Sequence, residues 1–155
     1  MKRASALRLI LLAFGLICLM AGRPAMADSA ETPPTLEGVP VVTAEQVQKM
    51  QSAGAAIIDA RVALEYAESH IKGAISVPYH EQSAKSANFN AAEDMFNVKR
   101  LPADKATPMV MYCNGPTCWK SYKAAVVAVK AGYTKVYWFR GGVPDWEAAK
   151  LPMEE

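Results

Sequence analysis

Histidine occurs only twice in this 155-residue chain and cysteine only three times. His70, His80, Cys113 and Cys118 fall at no standard metal-ligand spacing, so no metal site is expected. Charge of one sign is also scarce: 17 basic residues against 15 acidic ones leave a net +2. Four of the basic residues, Lys2, Arg3, Arg8 and Arg23, lie in the first 27 positions with no acid among them, and without that stretch the balance is −2. No Lys/Arg-rich tract with interleaved aromatics remains, so nucleic acid is not an expected partner. Long apolar runs are missing too, apart from Leu9 to Ala21. That run follows a basic head, precedes the small-x-small pattern Ala25-Met26-Ala27, and is too short to span a bilayer. Residues 1–27 are therefore expected to be a secretory signal peptide, giving an exported protein of the bacterial periplasm with no stable membrane anchor after cleavage. Ile17 stands before Cys18 where lipoprotein processing needs a small residue.

About 128 residues follow the leader, enough for one domain. Residues 28–38, with Thr32-Pro33-Pro34-Thr35, are polar and aperiodic and read as a linker. From residue 39 to 155, short apolar runs alternate with helical patterns, the signal of an α/β domain with a central parallel sheet. Strands are expected at Val41-Val42, Ala55 to Ile58, Ala74 to Val77, Pro108 to Tyr112 and Lys135 to Phe139. Thr43 with Gln46 forms a capping box ahead of a helix carrying Val47 and Met50. A short helix is expected through Val62, Leu64 and Tyr66, a longer one from near Ser121 to Lys130 ending at Gly132, and a last one from Val143 to Ala149. The stretch from Tyr79 to Lys105 is expected to be a helix and loop covering one side of the sheet, anchored by Phe89, Met95 and Phe96.

The chemistry concentrates where Met109 to Tyr112, an apolar run, stops at Cys113, turns through Gly115-Pro116 and reopens as a helix. A cysteine at that junction faces the unsatisfied N–H groups and positive dipole end of the helix, which favour thiolate, the reactive form. Cys113 is the expected nucleophile. Asn114, Gly115, Thr117, Cys118, Trp119, Lys120 and Ser121 make up an anion cradle, with Gly115 allowing the tight curl. Lys120 can attract an anion and depress the thiol pKa. Arg61 and Arg140 end other strands on the same side of the sheet and are further candidate substrate contacts.

This stretch and its surroundings resemble the rhodanese family of sulfurtransferases. Ile57-Ile58-Asp59-Ala60-Arg61 is similar to the family's strand ending in Asp-x-Arg, and Glu65-Tyr66 with His70-Ile71-Lys72-Gly73-Ala74-Ile75-Ser76-Val77-Pro78 to its next turn and strand. Ser121, Ala124-Ala125, Gly132-Tyr133, Val136 to Gly142 and Trp146 match its closing elements in order. The resemblance implies a rhodanese-like fold with helices on both faces of the sheet. It also implies a persulfide on Cys113, loaded from a small anionic sulfur donor such as thiosulfate and passed to a thiol or cyanide acceptor, with no cofactor. Two departures stand out, and the first is loop length. The common loop has four residues between Cys and the basic residue, whereas six separate Cys113 from Lys120. The related cell-cycle phosphatases also use a longer loop but grip phosphate with a loop arginine, which is absent here, and lysine does not reproduce that fork.

Cys118 is the second departure and leaves several readings open. It can pack as a small apolar residue, pair with Cys113 as a thiol-disulfide couple needing a thiol reductant or redox partner, or resolve the Cys113 persulfide. A non-catalytic persulfide carrier or anion-binding module is a further alternative. Trp119 after Cys118 resembles a rhodanese-like group with a Cys-x-x-Cys-Trp motif linked to quinoprotein-dependent catabolism, at wider spacing here. His70, Asp59 and Arg61 are expected to serve structural hydrogen bonds first.

Overall fold

The computed structural model describes residues 30–155; the leader read in residues 1–27 lies outside them. In chain order the elements are α1 (Ala44–Ser52), β1 (Ala56–Asp59), α2 (Ala63–Glu68), β2 (His70–Ile71), β3 (Ile75–Ser76), β4 (Tyr79–His80) and β5 (Met95–Phe96). A 3-10 turn (Val98–Arg100) is followed by β6 (Met109–Tyr112), α3 (Trp119–Lys130), β7 (Val136–Phe139), α4 (Gly142–Ala148) and β8 (Met153–Glu154). Four strands form one parallel sheet in the order β3-β1-β6-β7. Val41 extends it by a single parallel bridge to Trp138. β2 with β8, and β4 with β5, make two small antiparallel pairs.

Parallel strands covered on both faces need apolar residues at consecutive positions, because successive side chains point to opposite sides. The central strands obey this. Ile58, Met109, Met111 and Trp138 pack with Tyr122, Ala124, Ala125 and Ala128 of α3 on one face. Ile57, Val110, Tyr112 and Phe139 pack with Ala44 and Val47 of α1 and Trp146 of α4 on the other. Alanines on α3 let that helix lie close to the sheet. The helices therefore flank the sheet on both faces, as the alternation of runs implies.

Local signals account for the helix ends. Thr43 caps α1: its hydroxyl accepts from the Gln46 amide at 3.4 Å, and its own amide donates to Gln46 Oε1 at 2.9 Å. Gly132, at φ +93°, ends the turn after α3. α3 begins at Trp119, two residues before the position the sequence suggests.

Two expectations are corrected. The stretch from 79 to 105 holds no α-helix; it forms the β4/β5 pair and the 3-10 turn. Polar groups organise it: Asp94 accepts from the Tyr79 hydroxyl at 2.8 Å, the Ser83 hydroxyl at 2.6 Å, and the amides of Gln82 and Ser83 at 2.6 and 2.7 Å. Burial alone would raise the Asp94 pKa, but these bonds from Ser83, Gln82 and Tyr79 outweigh it and lower the pKa to about 2. Lys123 of α3, fully buried, joins the same group, 3.0 Å from Glu81 and 3.6 Å from Asp94, and donates to Ser83 Oγ at 2.9 Å. The second correction concerns the expected linker. Within the described part of residues 28–38, Thr32 is 3 % exposed and tied into the domain, and Leu36 bridges to Val39.

Candidate active site

β6 is the inner strand between β1 and β7, and it delivers Cys113 to the carboxyl end of the parallel sheet, where loops gather. The sulfur-bearing residue is 1 % exposed. The loop then turns at Gly115, φ +100°, and closes with a hydrogen bond from the Cys118 amide to the Gly115 carbonyl at 3.0 Å. Cys118 is the N-cap of α3, and its side chain makes no capping hydrogen bond to the helix. Instead it is paired with Cys113 as a disulfide, Cα to Cα 6.2 Å. Both sulfurs therefore sit at the start of α3, where the helix dipole favours negative charge on either of them when reduced.

The loop is gripped from beneath by the Gly141-Gly142 turn after β7. The Val143 amide donates to the Cys113 carbonyl at 3.0 Å. Gly142, at φ +61°, comes so close that a Cβ there would lie 2.1 Å from the Cys113 carbonyl oxygen and 2.7 Å from the Gly115 amide nitrogen. No side chain fits that contact.

Above the loop lies the N-terminal segment. Both the amide and the hydroxyl of Thr32 donate to the Pro116 carbonyl at 2.9 Å. Arg140 completes the fastening: its Nε donates to the Thr32 hydroxyl and the Pro33 carbonyl, and its Nη2 donates to the Thr32 carbonyl at 2.8 Å and meets Glu31 at 3.3 Å.

The predicted site residues thus divide into groups. Cys113, Gly115 and Cys118 come together at the loop core. Thr117 is exposed and Lys120 half-exposed on the first turn of α3, and Lys120 makes no ion pair among the described residues. Asn114 is exposed, its amide donating to Glu65 Oε1. Trp119 and Ser121 turn inward. The Trp119 ring lies edge-on to Tyr122, and the buried Ser121 hydroxyl accepts from Trp138 Nε1 at 3.0 Å. Their side chains serve the core, leaving only backbone for the cradle.

The two candidate arginines are engaged elsewhere. Arg61, 5 % exposed, holds the fully buried Asp59 through Nε and Nη2 at 3.0 and 2.6 Å and donates to the Ser69 carbonyl at 2.7 Å. The Tyr112 hydroxyl donates to the same carboxylate at 2.6 Å and accepts from the Ile71 amide at 3.2 Å. Burial first, and then the Asp59 charge, push the Tyr112 phenol well above its ordinary pKa. This network ties β1, β2 and β6 together just below Cys113. Removing one partner of such a buried pair costs about 3–5 kcal/mol. Arg140 is taken up by the Thr32 segment. His70 is structural: Nδ1 lies 2.8 Å from the Tyr66 carbonyl, Nε2 3.3 Å from Glu154, and its ring stacks on Tyr66 at 3.7 Å.

Sequence reasoning missed Thr32, Glu65 and Gly142 as parts of this site. A double glycine at the end of a strand is a signal for close backbone approach and marks Gly142 in retrospect. Nothing local marks Thr32, whose partners lie 84 and 108 residues away.

A strand-borne cysteine, a curled loop and a helix start on a parallel sheet define an α/β protein with a cysteine-loop site. The chain belongs to the rhodanese family: the rhodanese-like domain model matches residues 43–149. It is similar to the thiosulfate sulfurtransferase GlpE of Haemophilus influenzae, 27 % identical over 113 residues, covering 73 % of this chain and 92 % of the relative. It is also 27 % identical over 133 residues to an HTH-type transcriptional regulator of Mycobacterium tuberculosis, covering 84 % of this chain and 52 % of the regulator. The chain thus spans about half the length of that relative. Among solved structures, the BH2092 protein of Bacillus halodurans superposes with a TM-score of 0.56 at 26 % identity, covering 74 % of this chain and 76 % of that one. A thiosulfate sulfurtransferase of Pseudomonas aeruginosa gives 0.56 at 29 % identity, covering 76 % of this chain and 20 % of its own.

Proposed function

We propose that the protein is a sulfurtransferase that carries sulfane sulfur on Cys113. The observation that supports this best is the placement of Cys113 at the carboxyl end of an inner strand, within a glycine-turned loop that closes on the start of α3. With the Cys113–Cys118 pair reduced, the Cys113 thiolate attacks the outer sulfur of a donor such as thiosulfate. A persulfide forms and sulfite leaves with the electron pair of the broken S–S bond. A thiolate or cyanide acceptor then takes the terminal sulfur and returns Cys113 to thiolate.

The loop's backbone amides and the α3 dipole favour both the thiolate and the charged persulfide. Lys120, half-exposed at the loop's edge and without an ion pair among the described residues, supplies the positive charge that draws the anionic donor. Arg61 and Arg140 are held by other partners, which leaves Lys120 as the lone basic group of the proposed cradle. Thiosulfate as donor class draws support from the relative named thiosulfate sulfurtransferase. The leader pattern in residues 1–27 supports an exported, periplasmic setting for this chemistry.

The test is intact mass of the reduced chain before and after thiosulfate. Wild type or Cys118→Ser is expected to gain at least transiently one sulfur atom, and Cys113→Ser none. Lack of any gain in both cysteine-113-bearing forms sinks the proposal.

A further inference from the structure

The proposed sulfur chemistry uses Cys113 alone, yet the structure places a second sulfur within bonding reach of it. Cys118 meets Cys113 with Cα atoms 6.2 Å apart, inside the range that a disulfide spans without backbone movement. The turn that brings them together is fixed from three sides: Gly115 in a left-handed conformation, the Cys118 amide on the Gly115 carbonyl, and Thr32 on the Pro116 carbonyl. Both sulfurs belong to one short stretch of chain, separated by five positions.

We infer that Cys118 is a resolving thiol, so that the protein reduces sulfane sulfur to sulfide and is turned over by a dithiol. This rests on the persulfide reading above. In the step, the Cys118 sulfur attacks Cys113 Sγ of the loaded persulfide. The bond between Cys113 Sγ and the sulfane sulfur breaks, and the Cys113–Cys118 bond forms. The sulfane sulfur leaves with the electron pair as hydrosulfide, taking up the proton from the Cys118 thiol. It is reduced by two electrons, and the two cysteine sulfurs are together oxidised by two. A dithiol reductant restores both electrons through a mixed disulfide.

Three observations favour this over simple handover to an outside acceptor. The internal thiol is already in place, and a positioned intramolecular nucleophile outcompetes a dilute external one by a large effective concentration. Cys118 occupies the N-cap of α3 without capping it, so its thiolate shares the field that activates Cys113. Cys113 is 1 % exposed while Cys118 is half-buried, so an incoming dithiol meets Cys118 first and releases Cys113 as the leaving thiolate, ready to load again.

The test is a single turnover. The reduced chain, freed of reductant, is mixed with thiosulfate, and released sulfide and the mass of the alkylated protein are followed together. Wild type is expected to release about one sulfide per chain and to end with a thiol pair that resists alkylation, as one exchange dictates. Cys118→Ser and Cys118→Ala, each checked for a wild-type thermal transition, are expected to stay one sulfur atom heavier and to release sulfide at least about tenfold more slowly. If wild type holds its persulfide as long as these variants do, the resolving role is overturned and the carrier role on Cys113 stands. If no form gains sulfur, the persulfide reading itself falls. Sulfur gained by Cys113→Ser would overturn the assignment of the two roles.

Discussion

Gly142 is the residue whose backbone the sulfur-bearing loop itself crowds. Its backbone runs under Cys113 and Gly115 at a separation that leaves no room for a methyl group, and its φ of +61° disfavours any side chain. Neither obstacle is the far end of a flexible side chain; both are backbone atoms of the loop. Gly142→Ala is therefore expected to lose at least about 2 kcal/mol of stability, from strain and displacement combined. Its thermal unfolding should fall by several degrees, and thiosulfate loading of Cys113 should slow with it. A variant of wild-type stability would show that the loop yields at no cost. At Gly141 the obstacle is of another kind, since a Cβ there would run into the Asp145 side chain, its own Cβ included, and not into the loop.

At the scale of elements, the segment around Thr32 behaves as a strap across the loop and not as a spacer. Arg140 is its buckle, holding Thr32, Pro33 and Glu31 at once. Arg140→Ala is expected to raise amide exchange at Thr32 and Cys118 by about tenfold, the equivalent of a hydrogen bond or two of local stability. Exchange in β6 should stay as slow as before. An equal rise in β6 would mean that Arg140 supports the whole sheet and not the strap. Strands β1, β6 and β7 and the cap of α1 are legible in the sequence because consecutive apolar positions and a Thr-x-x-Gln box are local patterns. The strap and the β4/β5 region are not, because polar residues hold them through partners far along the chain. Lys123 shows the same limit. Its place in a helical pattern is readable, but its burial depends on Glu81, Ser83 and Asp94, which no periodicity connects to it. For the site, the sequence points to Cys113 and its loop, whereas the engagement of Arg61 by Asp59 and of Arg140 by Thr32 emerges only from the packing.

For the molecule as a whole, the Asp94 cluster sets an acid limit. Its folded pKa, about 2, lies below the ordinary 3.8, so ionised Asp94 favours the folded state above about pH 4. That contribution drains away as the pH falls from about 4 through about 2, when the carboxylate protonates in the folded protein too. Urea midpoints measured over this window should fall steeply for wild type and less so for Asp94→Asn, which starts lower but has no such proton to bind. Parallel curves for the two would show that other carboxylates govern the acid transition. The paired arrangement of β4 and β5, closed by Asp94 across Tyr79, Gln82 and Ser83, is expected to be the part that loosens first.

The strap also sets where the chain approaches the domain. Because Thr32 is fastened to Pro116, the polypeptide enters the domain at the lip of the sulfur-bearing loop. Anything joined to the chain ahead of Ala30 by a short flexible connection would search a small volume centred on that lip, at effective concentrations of the order of millimolar. A weakly binding thiol partner fused at that end would thus act as a resident neighbour of Cys118 and not as a visitor from solution.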